Sequence, residues 1–158
     1  TNAAYEAGRC DAYTTDQSGL YALRLTLANP DDHVVLPEII SKEPLGPAVR
    51  QGDDLWFNIV KWSLFAMLNA EELGITSDNV DEMLDSEDPD IARLLGQDGN
   101  YGEGMQLAAD WAYQIVRQVG NYAEVFERNV GAGSDFDIAR GLNALWTDGG
   151  LHYAPPVR

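Results

Sequence analysis

The stretch 53–74, DDLWFNIVKWSLFAMLNAEELG, most constrains what this chain can fold into, because its apolar side chains would lie nearly all round a helix. Such a helix must be covered on most sides, and each large apolar side chain that becomes fully buried contributes roughly 1.5–3 kcal/mol. Asn58, Lys61 and Asn69 interrupt the run, which falls short of the ~20 apolar residues that cross a membrane. The stretch therefore predicts a core helix over 54–73 that needs covering partners.

Length and charge limit what could surround this helix. The chain has 158 residues, enough for one substantial core and too few for two large ones. It carries 26 Asp and Glu residues against 10 Lys and Arg, a net charge of −16. A surface of that sign repels polyanions, so we expect no nucleic-acid partner. No signal peptide is visible at the first residues.

Residues 1–50 have the texture of an α/β fold. The pattern predicts a short helix over 3–7 and another over 18–28, with strands over 10–15 (CDAYTT) and 33–37 (HVVLP) and a further extended run over 45–50. Short apolar strands that alternate with helices favour parallel pairing. Prolines at 37, 44 and 47 indicate a segment that crosses between sheets rather than one inside a sheet.

From residue 53 onward the pattern is almost wholly helical, and caps and glycines punctuate it. After the first helix, helices are predicted over 76–86, with Thr76 or Ser77 as cap, and over 88–96, 108–120 and 122–131, which end at Gly96, Gly120 and Gly131. A last helix is predicted from Ser134 through 146, followed by a loop tail. The four tryptophans all fall within these helical patterns, so we expect them in the core: Trp56, Trp62, Trp111 and Trp146.

Motifs for catalysis, phosphate binding or metal binding do not occur. The sequence contains no P-loop, GxGxxG, HExxH, CxxC or nucleophile-elbow pattern, and its two histidines lie far apart. The acidic run 78–90 lacks the spacing of a calcium loop and is typical of a solvated helix face. We therefore predict no catalytic residue, no metal and no cofactor.

Two carboxylates near the predicted first strand have different expected roles. Asp16 falls where that strand ends and a helix begins, the place where ligands collect in open parallel sheets. Asp16 could also simply cap the amides near Ser18 and Gly19, and the pattern alone leaves both readings open. Asp11 is expected to face away and to be structural. Cys10, the one cysteine, reads by itself as a small buried apolar residue.

A resemblance adds a function to this pattern. The chain resembles receptors of polar-amino-acid ABC transporters, solute-binding family 3, along essentially its whole length, least closely over 83–107. The stretches that carry the likeness are AYEAGRCDAYTTDQSGL, HVVLPEIISKEPLGPAVRQGDDLWFNIVKWSLFAMLNAEELGIT, NYAEVFERNVG and IARGLNALWTDGGLHYAPPVR. The resemblance implies a helix-rich α/β chain that forms the C-terminal fragment of a two-lobed, type II periplasmic-binding-protein-like fold.

The resemblance also implies a division of the chain. Residues 1–36 correspond to the end of lobe two, 37–43 to a crossing segment, and 44–158 to the helical C-terminal part of lobe one with an extension over 75–148. Asp16 corresponds to the acid that meets the ligand ammonium. The family's carboxylate-binding arginine lies upstream and is absent here. The implied partner of Cys10 is a cysteine in the same missing segment.

The implied function is periplasmic capture of an L-amino acid and its delivery to an ABC permease with its ATPase. Which amino acid is preferred stays open. In a fragment, the apolar surface of helix 54–73 that the missing sheet would cover must be buried in another way. We therefore also expect a dimer, a segment exchange or altered packing around this helix. Two alternatives remain: a helical protein-interaction domain, and a dehydratase-like enzyme on the same scaffold, for which no positioned acid and base are visible.

Overall fold

The computed structural model describes residues 2–158. Its six α-helices are α1 (Asn2–Glu6), α2 (Gln17–Thr26), α3 (Asp54–Glu72), α4 (Pro89–Leu94), α5 (Trp111–Val119) and α6 (Tyr122–Asn129). Short 3-10 turns connect them, and an isolated bridge joins Leu145 to His152. No strand forms within residues 2–158, and none of the helices described there is long and apolar enough to span a bilayer.

Helix α3 organises the second region, as its sequence predicts. The Asp53 side chain accepts a hydrogen bond from Trp56 N at 3.0 Å and caps its start, and Gly74 adopts a left-handed conformation (φ 69°) just after its end. Its C-terminal half is buried, with Ala66 and Ala70 fully enclosed. These small side chains let α4, α5 and α6 pack closely against α3.

The main core lies between α3, α4 and α5 and includes loop residues that fold back onto them. Its fully enclosed members are Ala66, Ala70, Ile75, Val80, Leu95, Ala112 and Val116. A second, smaller cluster joins Leu68 of α3 to Leu145 and Ala154 from the C-terminal segment. The C-terminal tail therefore packs against α3, although it is a loop as predicted.

The other confirmed helices begin and end at the residues that their caps indicate. Asp88 caps α4 by accepting from Asp90 N at 2.8 Å. Asn121 and Glu124 form a reciprocal capping box at the start of α6. Gly96 and Gly120 follow α4 and α5 with φ of 77° and 91°, conformations that favour glycine. The predicted helix ends at these glycines are confirmed.

The predicted strands are wrong for the residues that the structure describes. Segments 10–15, 33–37 and 45–50 are irregular or extended, and several of their apolar side chains face solvent, with Val34 77% and Leu45 73% exposed. A strand is stable only as a member of a sheet. No second strand lies within residues 2–158 to accept their hydrogen bonds.

Two predicted helices do not form either. Over 76–86 the Thr76 hydroxyl accepts from Asn79 N at 3.3 Å, as a cap would. The Asn79 side chain, however, accepts from Thr76 N and donates to the Gly74 carbonyl. Only a 3-10 turn at Glu82–Asp85 follows. Side-chain bonds of this kind compete with the helix ladder. The segment from Ser134 to 146 is broken by left-handed residues at Asp137 (φ 48°) and Gly141 (φ 49°).

Two of the four tryptophans lie in or against the core, as predicted, and two do not. Trp111 is buried at 7% exposure, and Trp62 is half-buried against the main core. Trp56 and Trp146 remain 52% and 50% exposed. The first turn of α3 is thus open to solvent where the all-round apolar pattern predicts cover.

Candidate functional site

Asp16 lies at the start of α2, as the sequence predicts, but does not cap it. It occupies the N-cap position (φ −50°, ψ 139°), and its carbonyl accepts from Leu20 N at 2.9 Å. Its carboxylate makes no hydrogen bond to the helix amides and is exposed. The capping interpretation of Asp16 is therefore wrong, and the carboxylate can contact a ligand.

A second carboxylate, Glu43, lies at the same helix start. Gln17 N, the first amide of α2, donates to Glu43 Oε2 at 3.2 Å, and the Ser41 hydroxyl donates to Glu43 Oε1 at 3.4 Å. The positive end of the helix favours such an anion. The position of Glu43 is not predictable from the sequence, because an acid 26 positions along the chain gives no local signal that it will reach α2.

Aromatic side chains tie the residues before Asp16 to the rest of the first region. The Tyr5 hydroxyl and His33 Nδ1 are 2.7 Å apart, and the Tyr5 ring lies 5.4 Å from the His33 ring and 6.3 Å from that of Tyr13. Gly19 faces Thr15 so closely that a Cβ at 19 would be 3.3 Å from Thr15 Cγ2. These contacts fix the position of the residues that lead into α2.

The free Asp16 carboxylate, rather than the positive end of α2 itself, is the group here that could accept from a cation. Two acidic side chains are present there, and one of them is already engaged by a helix amide. A ligand ammonium could donate to the Asp16 carboxylate in a charge-assisted hydrogen bond. Nowhere in the described chain are three His, Cys, Asp or Glu side chains grouped so as to hold a metal ion.

Asp11 and Cys10 are both exposed. The interpretation of Cys10 as a buried apolar residue is wrong, because its thiol is free and accessible. Its pairing with a cysteine outside the chain stays a prediction, as does the structural role of Asp11.

The resolved pKa shifts belong to groups in the helical region rather than to this site. Burial tends to raise the pKa of Glu124, but hydrogen bonds from Ser77 and Asn121 outweigh burial and leave that pKa below its ordinary value. Burial, reinforced by the charge of Arg140, lowers the pKa of His152. These groups organise helix contacts and do not face α2.

Several curated proteins are similar to this chain over nearly all of its length. The general L-amino acid-binding periplasmic protein AapJ of Rhizobium johnstonii is 67% identical over 99% of the chain, which covers 47% of that protein. The putative amino-acid ABC transporter-binding protein YhdW of Escherichia coli is 62% identical over 98%, covering 46%. The glutamate/glutamine/aspartate/asparagine-binding protein BztA of Rhodobacter capsulatus is 55% identical over 98%, also covering 46%.

The fold has a close counterpart among solved structures. An ABC transporter periplasmic binding protein from Brucella ovis, solved with glutathione bound, superposes with a TM-score of 0.92 at 62% identity over 99% of this chain and 50% of that one. No family model matches the chain. The chain spans about half the length of the curated relatives it matches. These similarities confirm the resemblance and the predicted fold class.

Proposed function

We propose that this chain, a homologue of about half of the amino-acid-binding components of ABC transporters, forms part of a receptor that captures free L-amino acids. The observation that carries the proposal is identity of 55–67% to three such proteins over 98–99% of the chain. The receptor is periplasmic, and it delivers its ligand to an inner-membrane permease coupled to an ATPase. No chemical step is proposed.

The division of the chain follows the resemblance. Residues 1–36 form the end of lobe two, 37–43 a crossing segment, and 44–158 the helical part of lobe one with its extension over 75–148. The hydrogen bond from Gln17 N to Glu43 supports an association between lobe two and the end of the crossing segment. The group that binds the ligand carboxylate belongs to the other half of the receptor.

Asp16 is proposed to bind the α-ammonium of the ligand. Its carboxylate is exposed and has no capping bond, and Glu43 instead accepts from the first helix amide. A charge-assisted hydrogen bond to an ammonium is worth about 1.5–3 kcal/mol. Removing the charge should therefore weaken binding roughly ten- to hundred-fold.

The test is titration calorimetry on the complete receptor with a panel of free L-amino acids. Asp16→Asn should weaken binding of every ligand by roughly ten- to hundred-fold. Asp11→Asn is the matched control, since Asp11 is also exposed and is assigned no ligand contact. Unchanged affinity in Asp16→Asn would refute the assignment of Asp16. Absence of binding to any amino acid by the unmodified receptor would refute the proposed function itself.

A second ligand class is favoured by one observation. The structurally similar Brucella ovis protein was solved with glutathione bound. The γ-glutamyl end of glutathione carries a free α-ammonium and α-carboxylate, so Asp16 could bind it as it would bind an amino acid. Calorimetry with reduced glutathione and with glutamate distinguishes the two classes. Glutathione is the better candidate only if its affinity exceeds that of every single amino acid.

The remaining proposals concern Cys10 and the two alternatives. Intact mass spectrometry of the complete receptor should show Cys10 in a disulfide, and a free thiol there would remove that proposal.

Two alternative functions have their own tests. Turnover of prephenate-like acids would favour a dehydratase. Specific protein capture together with indifference to amino acids would favour a helical interaction domain. A single 17.3 kDa species in light scattering would count against a dimer or segment exchange of this chain.

A further inference from the structure

The segment 141–154, which we call the C-terminal clasp, folds back on itself and onto α3. Leu151 N donates to the Leu142 carbonyl at 2.9 Å, and Trp146 N donates to the His152 carbonyl at 2.9 Å. His152 N donates to the Ala144 carbonyl at 3.2 Å, across the bridge between Leu145 and His152. These bonds hold Leu145 and Ala154 in the small core around Leu68 of α3.

His152 lies where the clasp meets α6. The centroid of its ring is 4.5 Å from that of Tyr122. Its Nε2 atom is buried and has no hydrogen-bond partner among the residues that the structure describes. Buried polar atoms of this kind are uncommon, since leaving one unpaired costs free energy.

The titratable and charged groups that face His152 come from three elements. Tyr122 belongs to α6, Arg140 precedes the clasp, and Glu71 belongs to α3. Arg140 Nη2 is 2.9 Å from Glu71 Oε1 and 3.2 Å from Oε2, and its guanidinium carbon lies 5.2 Å from the Tyr122 ring centroid. The one carboxylate in this group is therefore already paired with a cation.

Protonation of His152 would conflict with this arrangement. It makes both ring nitrogens donors, so Nε2 would carry a proton in a buried place without an acceptor. It also adds a positive charge beside Arg140 with no second carboxylate to balance it. When the clasp opens, His152 reaches water and can take up the proton freely.

We propose that the C-terminal clasp is acid-labile, and that uptake of a proton by His152 releases segment 141–154 from α3 and α6. Burial and the Arg140 charge, which lower the pKa of His152 in the closed state, agree with this direction. The closed state then binds fewer protons than the open state, so clasp stability is complete above the ordinary histidine pKa of about 6.5. That stability is lost as pH falls through the lowered folded-state value.

The first measurement is an NMR titration of the complete protein that carries this chain. The signals of His152 and His33 are assigned by comparison with His152→Gln and His33→Gln variants. We expect His152 to titrate below about pH 6.5, the ordinary value for a histidine. Titration of His152 at or above about pH 6.5 would overturn the proposal, whether or not the variants fold well.

The second measurement is hydrogen exchange by mass spectrometry, with rates divided by the intrinsic rate at each pH. At pH 5.5 an ordinary histidine is about 90% protonated, so opening of 141–154 should increase by up to about tenfold between pH 7.5 and 5.5. His33→Gln should retain this increase and His152→Gln should lose it. Protection of 141–154 that is independent of pH in the unmodified protein would overturn the proposal. Amino-acid binding does not enter either readout, so this test is independent of the proposed function.

Discussion

Replacing Glu124 by alanine tests whether the helical region is held by the polar network around this one carboxylate. Glu124 accepts from Ser77 Oγ at 2.5 Å, from Ser77 N at 3.1 Å, and from Asn121 N at 2.8 Å. Asn121 Nδ2 in turn donates to the Ile75 carbonyl at 2.8 Å. The network joins the turn after α3 to the start of α6.

The magnitude follows from the three donors that Glu124→Ala would leave without their acceptor. A hydrogen bond to a charged group contributes about 1.5–3 kcal/mol when sheltered. Ser77 is exposed, so its two freed groups can bond to water, and we reduce each of their contributions to about 1 kcal/mol. Asn121 is buried, so its freed amide keeps about 1.5 kcal/mol. The total loss is about 3.5 kcal/mol, which corresponds to a fall in Tm of about 7–14 °C for a domain of this size.

Thermal and urea denaturation followed by circular dichroism provide the assay. Glu127→Ala is the matched control on the same helix, because Glu127 accepts one such bond, from Ala132 N at 2.9 Å. It should cost about 1 kcal/mol. A double-mutant cycle with Ser77→Ala isolates the Ser77 contribution. Equal costs for the two glutamate variants, or no coupling to Ser77, would refute the reasoning.

The same carboxylate predicts a pH dependence. Burial opposes its ionisation, but the bonds from Ser77 and Asn121 hold the pKa of Glu124 below its ordinary value of 4.5. Its contribution is therefore present above about pH 4.5 and is lost as pH falls through the lower folded-state value. The difference in unfolding free energy between Glu124→Ala and the unmodified protein should shrink over that range, and a constant difference would contradict this.

Two further predictions concern packing and the buried ion pair. Gly96→Ala should destabilise by about 2–4 kcal/mol in urea denaturation, because its φ is 77° and the new Cβ would meet the Ala109 carbonyl oxygen. Gly104→Ala, where a Cβ meets nothing within 4 Å, should cost under about 1 kcal/mol, and equal costs would contradict the contact argument. Arg140→Met should cost about 3 kcal/mol, since it leaves the Glu71 side chain, only 13% exposed, without its cation. Adding Glu71→Leu should recover most of that loss, and no recovery would show that the ion pair is not the cause.

Helices with local start and stop signals were predictable. The stretch 53–74 forms α3 because its cap, its apolar residues and its terminal glycine are all encoded within that stretch. The same holds for α5 and α6, which end close to the glycines that the sequence indicates. The helix over 76–86 failed because Asn79 supplies side-chain bonds to the backbone that compete with the helical ladder.

The candidate site was predictable only in part. Asp16 was predicted from a strand-to-helix junction and from the family resemblance; the helix start is as predicted, the strand does not form within residues 2–158, and the ligand contact stays a prediction. Glu43 was missed because its contact with Gln17 N joins residues 26 positions apart. The exposure of Cys10 was also missed, since burial of a single cysteine depends on what packs over it rather than on its neighbours in sequence.

The sequence by itself determined the positions of the helices that carry their own caps, such as α3 and α6, and, through its similarity to known receptors, the class of ligand to test. Those properties depend on residues within one or two turns of each other, or on stretches long enough to be specific. Only the tertiary structure decided that Glu71 pairs with Arg140, that Glu124 bonds Ser77, and that His152 is enclosed beside Tyr122. These partners lie tens of residues apart, so their contacts follow from how the helices pack and have no local sequence pattern.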